Sequence, residues 1–439
     1  MSSSTILFLM FFSLVTVMLT GAPLAFVLGG VAFCFTIFLW GQDALVISVL
    51  QTFETMTSDA LLAIPLYVLM ACILQRSGII EDLYNAMEKW FSRIGGGLAI
   101  GTIIICTIMA AMTGVVGAAV AAMGILALPS MLKRNYDQPL ALGAICAGGT
   151  LGILIPPSVV TIVYAITAKI SIGKMFIAGI VPGLILAVLY SGYIWIRVWL
   201  NPSLAPRPTQ DEDDFTLTEK LRSLRTLVLP AFIILAVLGT IYFGIATPTE
   251  AAAVGVFGAL ISAAVARRLN INEISEAATD TLKVTAMILW ITIGARTFIS
   301  VFSATGGSDA VISFVQGLQF SPYVILGILI LVLVFLGLFL DEIGIILLCV
   351  PVFLPIVTAF DFDPLWFGVL FMITAQMAYI TPPFGYTLFY LKGVLPPGIG
   401  ISKVYRGVIP FFLLQVLALI LFVLFPGLVT WLPNFMTGH

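Results

Sequence analysis

Two stretches, LGILIPPSVV at 151–160 and AYITPPFGYT at 378–387, hold the residues best suited to ion chemistry. In each, a Pro-Pro pair interrupts an apolar run long enough to cross a bilayer. Proline removes a backbone donor and frees the carbonyl one turn back, so oxygens near the break can turn toward a cation. The half-helix that restarts offers unpaired N–H groups and the positive end of its dipole to an anion. On this reading Ile153, Leu154, Ile155 and Pro156, with Thr113 and Gly114, form one sodium site. Ala378, Tyr379, Ile380 and Pro382, with Thr381 and the 341–345 turn that carries Glu342 and Gly344, form its mirror. Ser158 and Thr161 follow the first break at a depth suited to ion or substrate, and Thr381, beside the second, is a further substrate candidate. The plainer alternative is that the prolines only kink their helices. Gly148 and Gly152 read as close helix packing rather than as ligands.

Arg296, in WITIGARTFISVF, is the single cation well inside an apolar span. A charge there is costly and is either paired or functional. Asp341 and Glu342, at the centre of a fold-back segment, are the expected partners, and the competing expectation is that Arg296 clamps a substrate carboxylate with Asp341 close by. The five cysteines stand singly in apolar surroundings and read as small buried hydrophobes. The only histidine is His439, and nothing reads as a nucleophile paired with a base. The expectation is therefore no enzyme, no cofactor and no metal beyond a coupling sodium ion.

The elements that must position these residues follow from composition. With 439 residues, 61% of them hydrophobic and 9% charged, and a mean hydropathy of +1.17, the chain reads as an all-α polytopic membrane protein. Alternating strand patterns are absent, which excludes a barrel. The first segment, ILFLMFFSLVTVMLT, has no basic residue before Arg76, so it reads as a retained helix and not as a signal peptide. Sliding the sequence by 226 positions superposes Pro23 near Pro248, Pro129 on Pro355 and the Pro-Pro pairs on each other. The chain thus divides into a first repeat at 1–200, a linker at 201–225 and a second repeat at 226–439. Each repeat is expected to hold two spans (6–20 and 22–40; 226–245 and 249–266) and a third (60–75; 282–303). A re-entrant hairpin follows (97–133; 322–360), then a Pro-Pro broken helix (138–168; 364–391) and a final span.

Five crossings per repeat would invert the halves relative to each other. Along that path every lysine and arginine except Lys169, Lys174 and Arg296 falls on one face, which makes that face cytoplasmic and puts both termini outside. The linker, with its acidic residues Asp211 to Asp214, reads as solvated and cytoplasmic.

LTGAPLAFVLG at 19–29, LLAIPLYVLMACIL at 61–74, LGILIPPSVV, FIAGIVPGL at 176–184, TPTEAAAVG at 247–255 and YITPPFGYTLFY at 379–390 together resemble the large membrane subunit of tripartite ATP-independent periplasmic (TRAP) transporters, in the ion transporter superfamily. The resemblance runs over nearly the whole chain. It implies an elevator-type carrier in a bacterial inner membrane, importing a small organic acid with sodium. It also implies three partners: a small four-helix membrane subunit, a periplasmic substrate-binding protein and the lipid bilayer, with no nucleic acid. Many relatives have a first hairpin tip rich in serine and glycine. Here TGVVGAA keeps Thr113, Gly114 and Gly117 but carries valines, so a sodium site would lean on backbone carbonyls. The alternative function is a stand-alone sodium-coupled anion carrier of the same superfamily that needs no binding protein. A channel or an intramembrane enzyme is the remaining class.

Overall fold

Helix boundaries follow the punctuation of the sequence. The structure, a computed structural model, describes residues 3–206, 215–268 and 270–437. Arg207, the Asp211 to Asp214 cluster and His439 lie outside the described residues. The first half runs α1 (Ser3–Met18), α2 (Leu24–Trp40), α3 (Val46–Met56), α4 (Ala63–Arg76), α5 (Ile79–Phe91), α6 (Gly97–Thr113), α7 (Val116–Lys133), α8 (Gln138–Thr150), α9 (Val159–Thr167) and α10 (Ile172–Leu200). A short α11 (Leu217–Ser223) lies in the linker. The second half runs α12 (Arg225–Tyr242), α13 (Pro248–Val265), α14 (Ile271–Ala304), α15 (Gly307–Gly317), α16 (Pro322–Leu336), α17 (Glu342–Ala359), α18 (Pro364–Ile380), α19 (Tyr386–Lys392) and α20 (Ile401–Leu424), and α21 (Gly427–Thr437) closes the chain. No strand occurs among the described residues, and eight stretches there are long and apolar enough to cross a membrane.

Local chemistry explains the starts. Thr247 and Glu250 form a capping box around Pro248 at the head of α13, so TPTEAAAVG opens a helix. The two broken helices begin alike: Asp137 accepts from the Leu140 N–H at 3.1 Å, and Asp363 accepts from the Leu365 N–H at 2.8 Å, each just before a proline in the first turn.

One boundary departs from the sequence reading. The third span of the second half was expected at 282–303, yet α14 is a continuous helix of 34 residues from Ile271. Between 271 and 283 the chain offers good helix formers and neither glycine nor proline, so the amphipathic arm and the span fuse. In the first half Thr57 and Ser58 interrupt the same path, leaving α3 separate from α4.

Packing interleaves the halves. α2 lies along α14 and α13 along α4, while α8 packs on α20, α6 and α7. Gly29 and Gly294 let α2 and α14 approach closely, since a Cβ on Gly294 would lie 2.7 Å from the Ala25 carbonyl oxygen. Arg76 at the end of α4 pairs with Glu273, Glu276 and Asp280 of the α14 arm, with Asp280 at 2.6 Å. The linker is tied to α5, where Trp90 Nε1 donates to the Lys220 carbonyl at 3.0 Å. The broken helices sit at the centre: every residue of α8 from Leu140 on, and of α18 from Trp366 on, is buried. The first interruption, 151–160, is wholly buried in protein, the condition under which irregular backbone at membrane depth is tolerated.

Candidate ion and substrate sites

A threonine straps each break. Thr161 Oγ1, on the first turn of α9, donates to the Ile153 carbonyl at 3.2 Å. Thr387 Oγ1, 226 positions later on α19, donates to the Tyr379 carbonyl at 2.7 Å. Both Pro-Pro bonds are cis. One freed carbonyl in each break therefore already holds a hydroxyl, with a second lone pair left over. The sequence reading singles out Thr161 but misses Thr387, although the repeat offset points directly to it. Thr387→Val keeps the shape and deletes the donor, and leaving a buried carbonyl unpartnered costs about 1–3 kcal/mol. We expect a lower thermal unfolding temperature for the purified protein. Thr374→Val should change it far less, because Thr374 bonds only to Leu370 within its own helix.

The first hairpin tip rests on the first break. Gly114 turns the chain between α6 and α7 at φ +59°, and a Cβ there would stand 2.6 Å from the Pro157 carbonyl oxygen and 3.0 Å from the Ser158 Cα. Thr113 Oγ1 donates to Met109 of its own helix at 3.0 Å. All of 151–160, including Ile155 and Pro156, is buried, and Ser158 Oγ is buried without a hydrogen-bond partner. Such an orphan hydroxyl carries a desolvation cost that a ligated cation offsets. Thr113, Gly114, Ile155, Pro156, Ser158 and Thr161 are thus brought into one neighbourhood.

The second site is built differently. Asp341 occupies the N-cap position of α17, and the Glu342 N–H donates to the Tyr379 hydroxyl at 3.2 Å, which ties this hairpin to the second break. Glu342 Oε2 is buried without a hydrogen-bond partner. Gly344 nestles against Leu24 of α2, where a Cβ would also meet Asp341 Oδ1 at 2.7 Å. Ile380 is buried and Thr381 donates to Met377 at 2.6 Å. Pro382 is half-buried, but Pro383 and Phe384 are exposed, and Phe384 takes the place that Ser158 holds in the first half. Its ring faces Phe339 of the hairpin at 5.8 Å. The first break is sealed by backbone; the second is capped by aromatic rings and a buried carboxyl group.

Arg296 corrects an expectation. Its ion pair is with Glu54 of α3, Nη1 to Oε1 at 3.3 Å, and among the described residues no ion pair joins it to Asp341 or Glu342. The reason is placement: those acids sit at the tip of the hairpin, while Arg296 lies on the wall of a crevice of about 620 Å³ between α3 and α14 on one side and α9 and α17 on the other. Glu54, Lys169, Thr292, Ser300 and Thr358 share that lining. The predicted substrate residues thus fall into two groups, with Arg296 in the crevice and Ser158, Thr161, Asp341 and Thr381 at the breaks and tips.

Residues 11–428 match the family described as the tripartite ATP-independent periplasmic transporter, DctM component. The chain belongs to the TRAP transporter DctM family. It is 34% identical over 410 residues to the C4-dicarboxylate TRAP transporter large permease protein DctM of Pseudomonas aeruginosa, covering 93% of this chain and 94% of that one. It is 30% identical over 429 residues to the ectoine/5-hydroxyectoine TRAP transporter large permease protein UehC of Ruegeria pomeroyi, covering 97% and 98%. In fold, this TRAP large permease is similar to the YdaH transporter of Alcanivorax borkumensis, with a TM-score of 0.66 and 15% identity over 92% of this chain and 98% of that one. Its relatives are named as transporter permeases and not as enzymes, so the breaks, tips and crevice of this TRAP permease are parts of a multi-pass membrane transporter.

Proposed function

We propose that this TRAP permease imports a small organic acid together with sodium, by an elevator movement of the hairpins and broken helices against the remaining helices. The observation that carries the reading is the Arg296 crevice, because it lies between those two helix groups and holds a cation suited to a carboxylate. The sodium sites are assigned to Thr113, Gly114, Ile155 and Pro156 in the first half, and to Glu342, Gly344, Ile380 and Pro382 in the second. The orphan Ser158 hydroxyl supports the first site and the orphan Glu342 oxygen the second. Substrate is assigned to Arg296 in the crevice and, as a second group at the breaks and tips, to Asp341, Ser158, Thr161 and Thr381.

The two halves are inverted repeats with boundaries at 1–200 and 226–439, and the basic face is cytoplasmic, with both termini in the periplasm of a bacterial inner membrane. The crevice, whose edge carries Lys169, then opens to the periplasm, where a binding protein delivers the acid. A small four-helix membrane subunit completes the tripartite assembly that the family name describes. Energetics favour coupling. An inside-negative potential opposes an anion by about 2.3 kcal/mol per charge per 100 mV, so a dicarboxylate needs about two sodium ions to break even.

The test is uptake of radiolabelled succinate by proteoliposomes holding the permease, its small subunit and the binding protein. Succinate is the probe because the Pseudomonas aeruginosa relative is named for C4-dicarboxylates. We expect uptake to need both an inward sodium gradient and the binding protein. Equal uptake with potassium in place of sodium would remove sodium coupling, and equal uptake without the binding protein would establish a stand-alone carrier.

A further inference from the structure

We propose that Glu54 is a resident carboxylate that holds Arg296 while the crevice is empty and yields it to the carboxylate of an arriving substrate. The proposal rests on the reading of Arg296 as the substrate clamp. An arginine in a membrane span needs a partner whenever substrate is absent. The hairpin acids do not supply it; Glu54 does, from a different helix of the same crevice wall.

Three features make the pair exchangeable. The Glu54 side chain is 67% exposed against 20% for Arg296, so the bond is open to water from the glutamate side, and exposed pairs of this kind contribute little. The contact uses one guanidinium nitrogen at 3.3 Å, whereas a small carboxylate that reaches the guanidinium can accept from two N–H groups at once. Glu54 also sits in the last turn of α3, where the helix dipole disfavours a carboxylate. Once Glu54 swings away, Arg296 on one wall and Lys169 at the crevice edge are left as two cations, which suits an acid with more than one negative oxygen group. Glu54 is thus a positioning residue that sets the affinity of the clamp and rejects weak ligands that cannot displace it.

Glu54→Gln preserves shape and removes the charge. In the reconstituted complex the apparent KM for succinate is expected to fall about threefold with no rise in maximal rate, and Glu54→Asp is expected to return it toward the wild-type value. In an Arg296→Lys background, where the charge remains but the fork that the substrate would use is gone, the same Glu54→Gln change is expected to have a clearly smaller effect. An unchanged or higher KM overturns the proposal, and so does an equal effect in both backgrounds. An Arg296→Ala variant that transports normally overturns the clamp reading itself, which keeps the two failures apart. A second measurement does not depend on the substrate: phenylglyoxal labelling of Arg296 in the purified full chain, read by mass spectrometry. Labelling is expected to be about threefold faster in Glu54→Gln than in wild type, and equal rates overturn the proposal.

Discussion

Arg296→Lys is expected to lower kcat/KM for uptake by about a hundredfold, while the protein reaches the membrane in normal amounts. Truncating one partner of a buried, hydrogen-bonded charge pair costs roughly 2–5 kcal/mol, and each 1.4 kcal/mol is about tenfold. Lysine keeps the charge but not the planar fork, so a bidentate carboxylate contact is lost even though the wall stays basic. Stability should change little, because the partner left behind, Glu54, is largely exposed and can be hydrated. Initial uptake rates across a substrate range, normalised to the amount of protein in the vesicles, measure the effect. Normal uptake by Arg296→Ala would sink the clamp assignment.

Legibility in the sequence tracked how far each feature depends on local chemistry. The breaks at Pro156 and Pro382 could be read directly, because proline forces the same local outcome wherever it falls in an apolar run. The starts of α8, α13 and α18 were equally open, since Asp137, Thr247 and Asp363 each stand one or two residues before a proline. The partner of Arg296 was not legible. Glu54 is far away in sequence, on a short amphipathic helix whose facing neighbour only the folded chain defines, while Asp341 and Glu342 looked nearer to membrane depth. Thr387 was legible in principle and still missed, because a hydroxyl on the far side of a break attracts notice only once its mirror Thr161 is seen bonding across eight residues. The unlike character of the two breaks, Ser158 in one and Phe384 at the matching offset in the other, shows that the 226-residue spacing carries the backbone interruptions better than the side chains around them.

That divergence places the burden of the first site on backbone, and Gly114 is where it can be tested. Gly114→Ala meets two obstacles. A left-handed residue with a Cβ costs roughly 1–2 kcal/mol, and the added carbon would stand 2.6 Å from the Pro157 carbonyl oxygen, which is itself backbone and cannot rotate away. The hairpin tip must therefore lift off the break by several tenths of an ångström, separating Thr113 and Gly114 from Ile155, Pro156 and Ser158. Gly244→Ala supplies the control, because Gly244 has a similar φ of +66° with nothing within 4 Å, so it carries the backbone strain without the collision. We expect Gly114→Ala to raise the sodium concentration for half-maximal uptake about tenfold or to abolish uptake, and Gly244→Ala to leave it near the wild-type value. A Gly114→Ala protein with unchanged sodium dependence would mean that the tip and the first break do not hold the coupling ion, and the buried carboxyl group of Glu342 would then become the place to look for it.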